Sequence, residues 1–158
     1  MQFTEEQIEK MRAIGLRLDR SGTFWQDGAA VTHARLRQAL LRWLDVRPDG
    51  RDIVKLDAER YAYVDVEDAH LRARSARWDG DRAWIVWDDD AEGTEPEELA
   101  YATLRQATDH ALYVTARARL RGRIAGPAYL ALVERVEPSG TGFVLAAAGR
   151  AWPIGSAA

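Results

Sequence analysis

The pair VRPDGRDIV (46–54) and VEPSGTGFV (136–144) constrains this chain more than any other feature. Val, Pro, Gly and Val coincide at four of nine positions at a constant offset of ninety residues, and Asp49/Ser139 and Ile53/Phe143 are similar pairs. Pro and Gly converge on turns by themselves, because Pro presets φ and Gly supplies φ > 0. Convergent turns do not require matching helices in front of them, yet HARLRQALL and PAYLALVER each read as a helix running into the turn. A unit of strand, helix, Pro-x-Gly turn and strand therefore occurs twice. Neither helix can bury its stripe alone. The sequence thus predicts an α+β fold of two β-rich repeats, each an antiparallel sheet packed around one amphipathic helix. The expected organisation is an N-terminal helix over 1–14, a first repeat over 15–70 and a second over 71–158, with an acidic loop at 88–98.

Local signals fill in the elements. Thr4 with Gln7 forms a capping box, which predicts a helix from about 5 to 13. LRLDR and TFWQ, separated by SG and followed by DG, read as two short strands with glycine turns. Thr32 is placed as an N-cap for a helix from 33 to about 45, with Leu36, Leu40, Trp43 and Leu44 as its apolar stripe. Strands are expected around 52–57 and 60–67, and LRARSARW and RAWIVWD flank Asp79-Gly80 as a hairpin. EELAYATLRQAT (97–108) is built of helix formers and is read as helix. LYVTARARLRGRI then reads as one long strand, Pro127 opens a helix, and FVLAAA and RAWPI close the chain as strands.

Composition narrows the function classes. No cysteine is present among the 158 residues, which excludes disulfides, thiolate metal sites and cysteine nucleophiles and leads to the expectation of a cytoplasmic setting. The net charge of −3 disfavours nucleic acid, because phosphate neutralisation needs a basic face. No apolar run reaches the length of a membrane span, and MQFTEEQIEK has no apolar segment of signal-peptide type. There is no nucleophile elbow, phosphate loop, dinucleotide fingerprint or HExxH, so no cofactor is expected.

Five features carry possible chemistry. DRSGTFWQDGAAVTH (19–33) combines glycine turns with Trp25 and with His33 at a helix start, where unpaired N–H groups attract anions; the competing reading is a hairpin-to-helix connection. Arg117, Arg119, Arg121 and Arg123 alternate with small or apolar residues, so one strand places four guanidiniums on one face, able to hold a carboxylate or phosphate. The alternative is the wet side of a sheet. Asp68 and His70, two apart, could offer two ligands to a metal or an acid/base pair, against a strand end with solvated charges. DDDAEGTEPEEL (88–99) imitates a calcium loop but ends on Leu99 and contains Pro96, so it reads as a solvated acidic loop. Of Trp84 and Trp87, on opposite faces of a strand, one is expected at a contact surface.

The order of GLRLDRSGTFWQDGAAVTHARLRQALLRWL, YVDVEDAHLRA, YVTARARLRGRIAGPAYLALVE and AGRAWPIG resembles the bacterial domain of unknown function 1285 family over about 130 residues. The chain departs from that pattern where Thr32-His33 replaces Arg-Pro, where Ala69-His70-Leu71 replaces Ala-Pro-Phe, and where Ala151-Trp152 replaces a double aromatic. Residues 88–110 have no convincing counterpart. The resemblance implies a two-repeat α+β fold, no established catalysis and a part in ligand-linked signalling, and it transfers no catalytic residue. The expected function is a non-enzymatic sensor or adaptor binding a small anionic ligand through His33, Trp25, Arg117, Arg119 and Arg121. A protein-interaction module or homodimer is the alternative, and a metal-assisted hydrolase around Asp68 and His70 the remote one.

Overall fold

Thr4 caps the first helix as its spacing predicts. Its hydroxyl accepts from the Gln7 N–H while the Gln7 side chain accepts from the Thr4 N–H, satisfying two donors that a helix start leaves open. The computed structural model describes residues 2–157. Its helices are α1 (Glu5–Arg12), α2 (Ala34–Arg42) and α3 (Gly126–Val133), with a 3₁₀ turn at Tyr101–Thr103. The strands are β1 (Leu16–Leu18), β2 (Phe24–Gln26), β3 (Ala29–Ala30), β4 (Leu44–Val46), β5 (Asp52–Lys55), β6 (Tyr61–Val66), β7 (Leu71–Asp79) and β8 (Arg82–Trp87). They continue as β9 (Glu97–Glu98), β10 (Arg105–Gln106), β11 (Leu112–Ala116), β12 (Leu120–Ile124), β13 (Val136–Ser139), β14 (Gly142–Ala147), β15 (Arg150–Pro153) and β16 (Gly155–Ser156). The chain is α+β and divides into two compact units, Met1–His70 and Leu71–Ala158.

Among the described residues, the first unit holds a six-stranded sheet in the order β3-β2-β1-β6-β5-β4. Leu16, Leu18, Phe24, Leu41, Leu44, Ile53, Val54 and Val64 are among its buried apolar side chains. The second unit holds a seven-stranded sheet, β16-β10-β11-β12-β7-β8-β9, and a three-stranded one, β13-β14-β15. Leu71, Ile85, Trp87, Leu112, Leu120, Ile124, Leu132 and Leu145 are buried there. The repeat is visible as α2 followed by the meander β4-β5-β6 and α3 followed by β13-β14-β15. The two Pro-x-Gly turns are built differently. The first spans 47–51, with Arg47 N–H bonded to Arg51 C=O, whereas Ser139↔Gly142 pairing leaves only Gly140 and Thr141 in the second.

Four expectations need correction. The sheets are mixed and not wholly antiparallel: hairpin neighbours run antiparallel, while β1–β6, β7–β12 and β10–β16 run parallel. β1 reaches β6 only through a connection containing α2, and long crossovers deliver parallel strands. The cap of α2 is His33 and not Thr32; the His33 Nδ1 accepts from the Leu36 N–H at 3.2 Å. Residues 97–108 form no α-helix but β9, the 3₁₀ turn and β10, because tertiary pairing overrides their propensity. Residues 112–124 are not one strand but the hairpin β11–β12, turning at Arg117 and Ala118, whose φ values are 50° and 65°.

The acidic segment also departs from its reading as a solvated loop. Asp88, Asp89 and Asp90 are buried, each with a partner. Asp88 accepts from the Arg72 backbone N–H and Nε, and Asp89 accepts from Arg117 Nε and NH2 at 3.1 and 2.9 Å. Asp90 accepts from the N–H groups of Gly93, Thr94 and Glu95. Burial pushes its carboxyl up, but those three donors and nearby Arg117 outweigh it and hold the group below its ordinary range. These carboxylates stabilise loop structure.

Candidate functional site

A groove of about 440 Å³ opens in the first unit, lined by residues 13–16, 50–52 and 63–66. Its origin lies in strand pairing. β5 pairs antiparallel with β6 at Lys55↔Tyr61, Val54↔Ala62 and Ile53↔Tyr63, and there the ladder stops. Residues 64–66 of β6 pair instead with β1 on the other edge. The 47–51 turn is thereby left to diverge from the second half of β6, and the groove occupies that gap.

Alternation along a strand puts Tyr61, Tyr63 and Asp65 on one face. Their phenol rings form the seat of α1, which contributes no buried residue and is held by polar contacts. The Tyr63 hydroxyl donates to Glu9, Arg12 lies 3.9 Å over the Tyr61 ring, and Arg12 also donates to the Glu59 carbonyl at 3.0 Å. The Tyr63 hydrogen bond, together with Arg12 and Arg47, holds the Glu9 carboxyl below its ordinary value of 4.5 despite partial desolvation. The same bond to Glu9 raises the Tyr63 phenol, because it favours the protonated form. Gly15, in the α1–β1 connection, has φ 67°, and a Cβ there would meet the Asp27 carboxylate at 2.2 Å. The positive φ favours glycine at that point of the groove wall, and any larger residue would displace the Asp27 carboxylate.

Two charged side chains at the groove have unspent capacity. The Arg51 guanidinium lies 3.4 Å over the Tyr63 ring and reaches Glu9 only at 4.0 Å, and its N–H groups donate no hydrogen bond among the described residues. Stacking orients the fork and leaves its edge open to a carboxylate or phosphate. Asp65 is exposed and has no hydrogen bond or ion pair among the described residues. Deeper in the groove Asp52, 16% exposed, contacts the Nε2 of fully buried His70 at 2.7 Å.

The residues singled out from sequence are not gathered into one site. His33 uses its ring nitrogen to cap α2, so the first turn of that helix is already served. Trp25 is half-buried and donates from Nε1 to Asp19 at 2.8 Å. Asp19 also accepts from Ser21 N–H, Ser21 Oγ and Thr23 N–H, so DRSGTFW is an aspartate-centred turn. Arg117 belongs to the turn and is committed to Asp89, with Glu97 at 3.7 Å; Arg119 donates to the Arg117 carbonyl. Arg121 and Arg123 remain on one face of β12, where Arg123 bonds Asp109 and Tyr113. Four guanidiniums on one strand face is therefore not the arrangement. Asp68 and His70 lie in the connection after β6 and not on a strand; His70 pairs with Asp52, while Asp68 faces Arg20 at 3.9 Å. Among the described residues no group of three His, Asp or Glu side chains is arranged to hold a metal ion. Trp87 is buried and Trp84 half-buried, as opposite faces require.

Arg51, Tyr63 and Asp65 went unremarked in the sequence. The alternation of YAYVDV was readable, but the point at which β5 and β6 part was not. That divergence depends on β1 taking over the second half of β6, a pairing between segments nearly fifty residues apart.

Fold and groove together define a two-unit α+β protein with a small polar recess in its first unit. No family model and no curated protein matches the sequence. In fold, the chain is similar to a DUF1285 family protein from Silicibacter pomeroyi DSS-3, with a TM-score of 0.73 at 18% identity, covering 92% of this chain and 81% of that one. It is also similar to a DUF1285 family protein from Shewanella baltica OS155, with a TM-score of 0.61 at 14% identity, covering 78% and 93% respectively. This chain has the DUF1285 fold, as the resemblance in its motifs implied. No helix among the described residues is long and apolar enough to cross a membrane.

Proposed function

We propose that this protein is a non-enzymatic binding module, of the sensor or adaptor kind, that takes a small anionic molecule in the groove of the first unit. One observation carries the reading: the Arg51 guanidinium is stacked on Tyr63 at the groove with its hydrogen-bonding edge unspent. A preoriented fork pays little entropy on binding, and a charged hydrogen bond to a carboxylate or phosphate contributes about 1.5–3 kcal/mol. The anion-binding role expected of Arg117, Arg119 and Arg121 thus moves to a different arginine. Thermal denaturation in the presence of phosphate, citrate and short-chain carboxylates tests it. A ligand at about 100 times its Kd adds about 2.7 kcal/mol, a rise of roughly 5–11 °C in Tm for a chain of this size. Arg51→Ala should remove the rise while shifting basal stability by no more than about 0.5 kcal/mol, because its side chain is exposed.

A second reading, a protein-interaction surface, is favoured by α2. Leu36 is 45% exposed and Trp43, at its end, 36% exposed, although both belong to the stripe expected to be buried. The buried side of the helix runs instead through Leu41 toward Leu44. A flat anion panel together with concentration-dependent sedimentation abolished by Trp43→Ser would favour this reading.

A further inference from the structure

Continuing the β5–β6 register one and two residues past Ile53↔Tyr63 sets Asp52 opposite Val64 and Arg51 opposite Asp65. Alternation then assigns Arg51 and Asp65 to the face of Tyr63, and the Arg51 guanidinium does lie over that ring. A cation and an anion at directly opposed positions of a closed antiparallel pair would meet. Here they form no ion pair, because the strands have parted and the groove lies between them. Each charge therefore faces the same gap from one side. Ile14 supplies apolar wall beside them.

We infer that the groove recognises a small zwitterion of the α-amino-acid type, its carboxylate on Arg51, its ammonium on Asp65 and a modest apolar side chain against Ile14. The inference rests on the anion reading above and adds the second charge. A simple anion would satisfy Arg51 but would meet Asp65 as a like charge across the groove. A simple amine would do the reverse. A molecule carrying both replaces the ion pair that the parted strands cannot close.

Calorimetric titration of the full chain with three probes of one carbon skeleton separates the possibilities: L-leucine, 4-methylpentanoate, which lacks the amine, and 3-methylbutylamine, which lacks the carboxylate. L-leucine should bind at least about tenfold more tightly than either, the scale of one charged hydrogen bond. Asp65→Asn should bring L-leucine down to the level of 4-methylpentanoate, and Arg51→Ala should abolish both. Both positions are exposed, and circular dichroism verifies that each variant is folded. Equal binding of L-leucine and 4-methylpentanoate, or L-leucine binding unmoved by Asp65→Asn, overturns the zwitterion while leaving the anion site standing. Failure of all three probes to bind overturns the zwitterion, and the anion reading falls with it only if phosphate and citrate also leave Tm unchanged.

Discussion

Asp19 shows how much one side chain can organise. Burial would raise its carboxyl, but donors from Trp25, Thr23 and Ser21 prevail and bring it from 3.8 down to about 2. A depressed folded value contributes stability that is complete above the unfolded value and lost as pH falls through the folded one. Asp19→Asn should therefore cost about 1–2 kcal/mol at neutral pH, discounted from the full shift because the group is partly solvated. Urea titrations of both proteins across pH 1–6 should show the difference shrinking below about pH 4 and vanishing only below about pH 2. A constant difference would mean that the charge is not what matters. Gly122 is fixed by packing. A Cβ there would sit 2.4 Å from Cη2 of buried Trp87, so Gly122→Ala should destabilise by about 1–3 kcal/mol through overpacking. Asp19 was legible as a turn former, though not as an acceptor of four bonds. The Gly122–Trp87 approach joins strands that only the fold brings together.

Among elements, the hairpin β11–β12 explains the largest misreading. TARAR contains no Gly, Asn or Pro, so nothing announces a turn, yet Arg117 and Ala118 adopt left-handed backbone conformations. That conformation costs a residue with a Cβ roughly 1–2 kcal/mol. The hairpin is held because Arg117 is clamped: its backbone N–H donates to Glu97 and its side chain to Asp89. Two opposite predictions follow from this balance. Ala118→Gly should stabilise by about 0.5–1 kcal/mol, strain relief exceeding glycine's extra entropy. Arg117→Ala should cost about 2–3 kcal/mol by leaving the Asp89 charge buried without it. Chemical denaturation midpoints read both. The helix expected at 97–108 failed for a related reason: Glu97 and Glu98 pair with β8, and local propensity carries no information about that neighbour. By contrast α1, the β7–β8 hairpin and α3 were legible, because a capping box, an Asp-Gly turn and a Pro at the first turn are local signals.

At the level of the whole chain, the duplicated Pro-x-Gly turn was informative about architecture and silent about function. It marked the helix-plus-meander unit in each half, and the first of the two turns forms one wall of the groove. The chemistry arises where the first meander is imperfect, at the point where β6 leaves β5 for β1. A repeat read from sequence reports what the halves share, whereas this recess depends on a parallel pairing at one place. An amide ¹H–¹⁵N correlation spectrum of the full chain titrated with L-leucine locates the site residue by residue. A ligand seated on Arg51 and Asp65 gives saturable shifts centred on residues 13–16, 50–52 and 63–66, absent in Arg51→Ala. Shifts centred instead on residues 117–123, or no saturable shifts at all, would rule the groove out as the binding site.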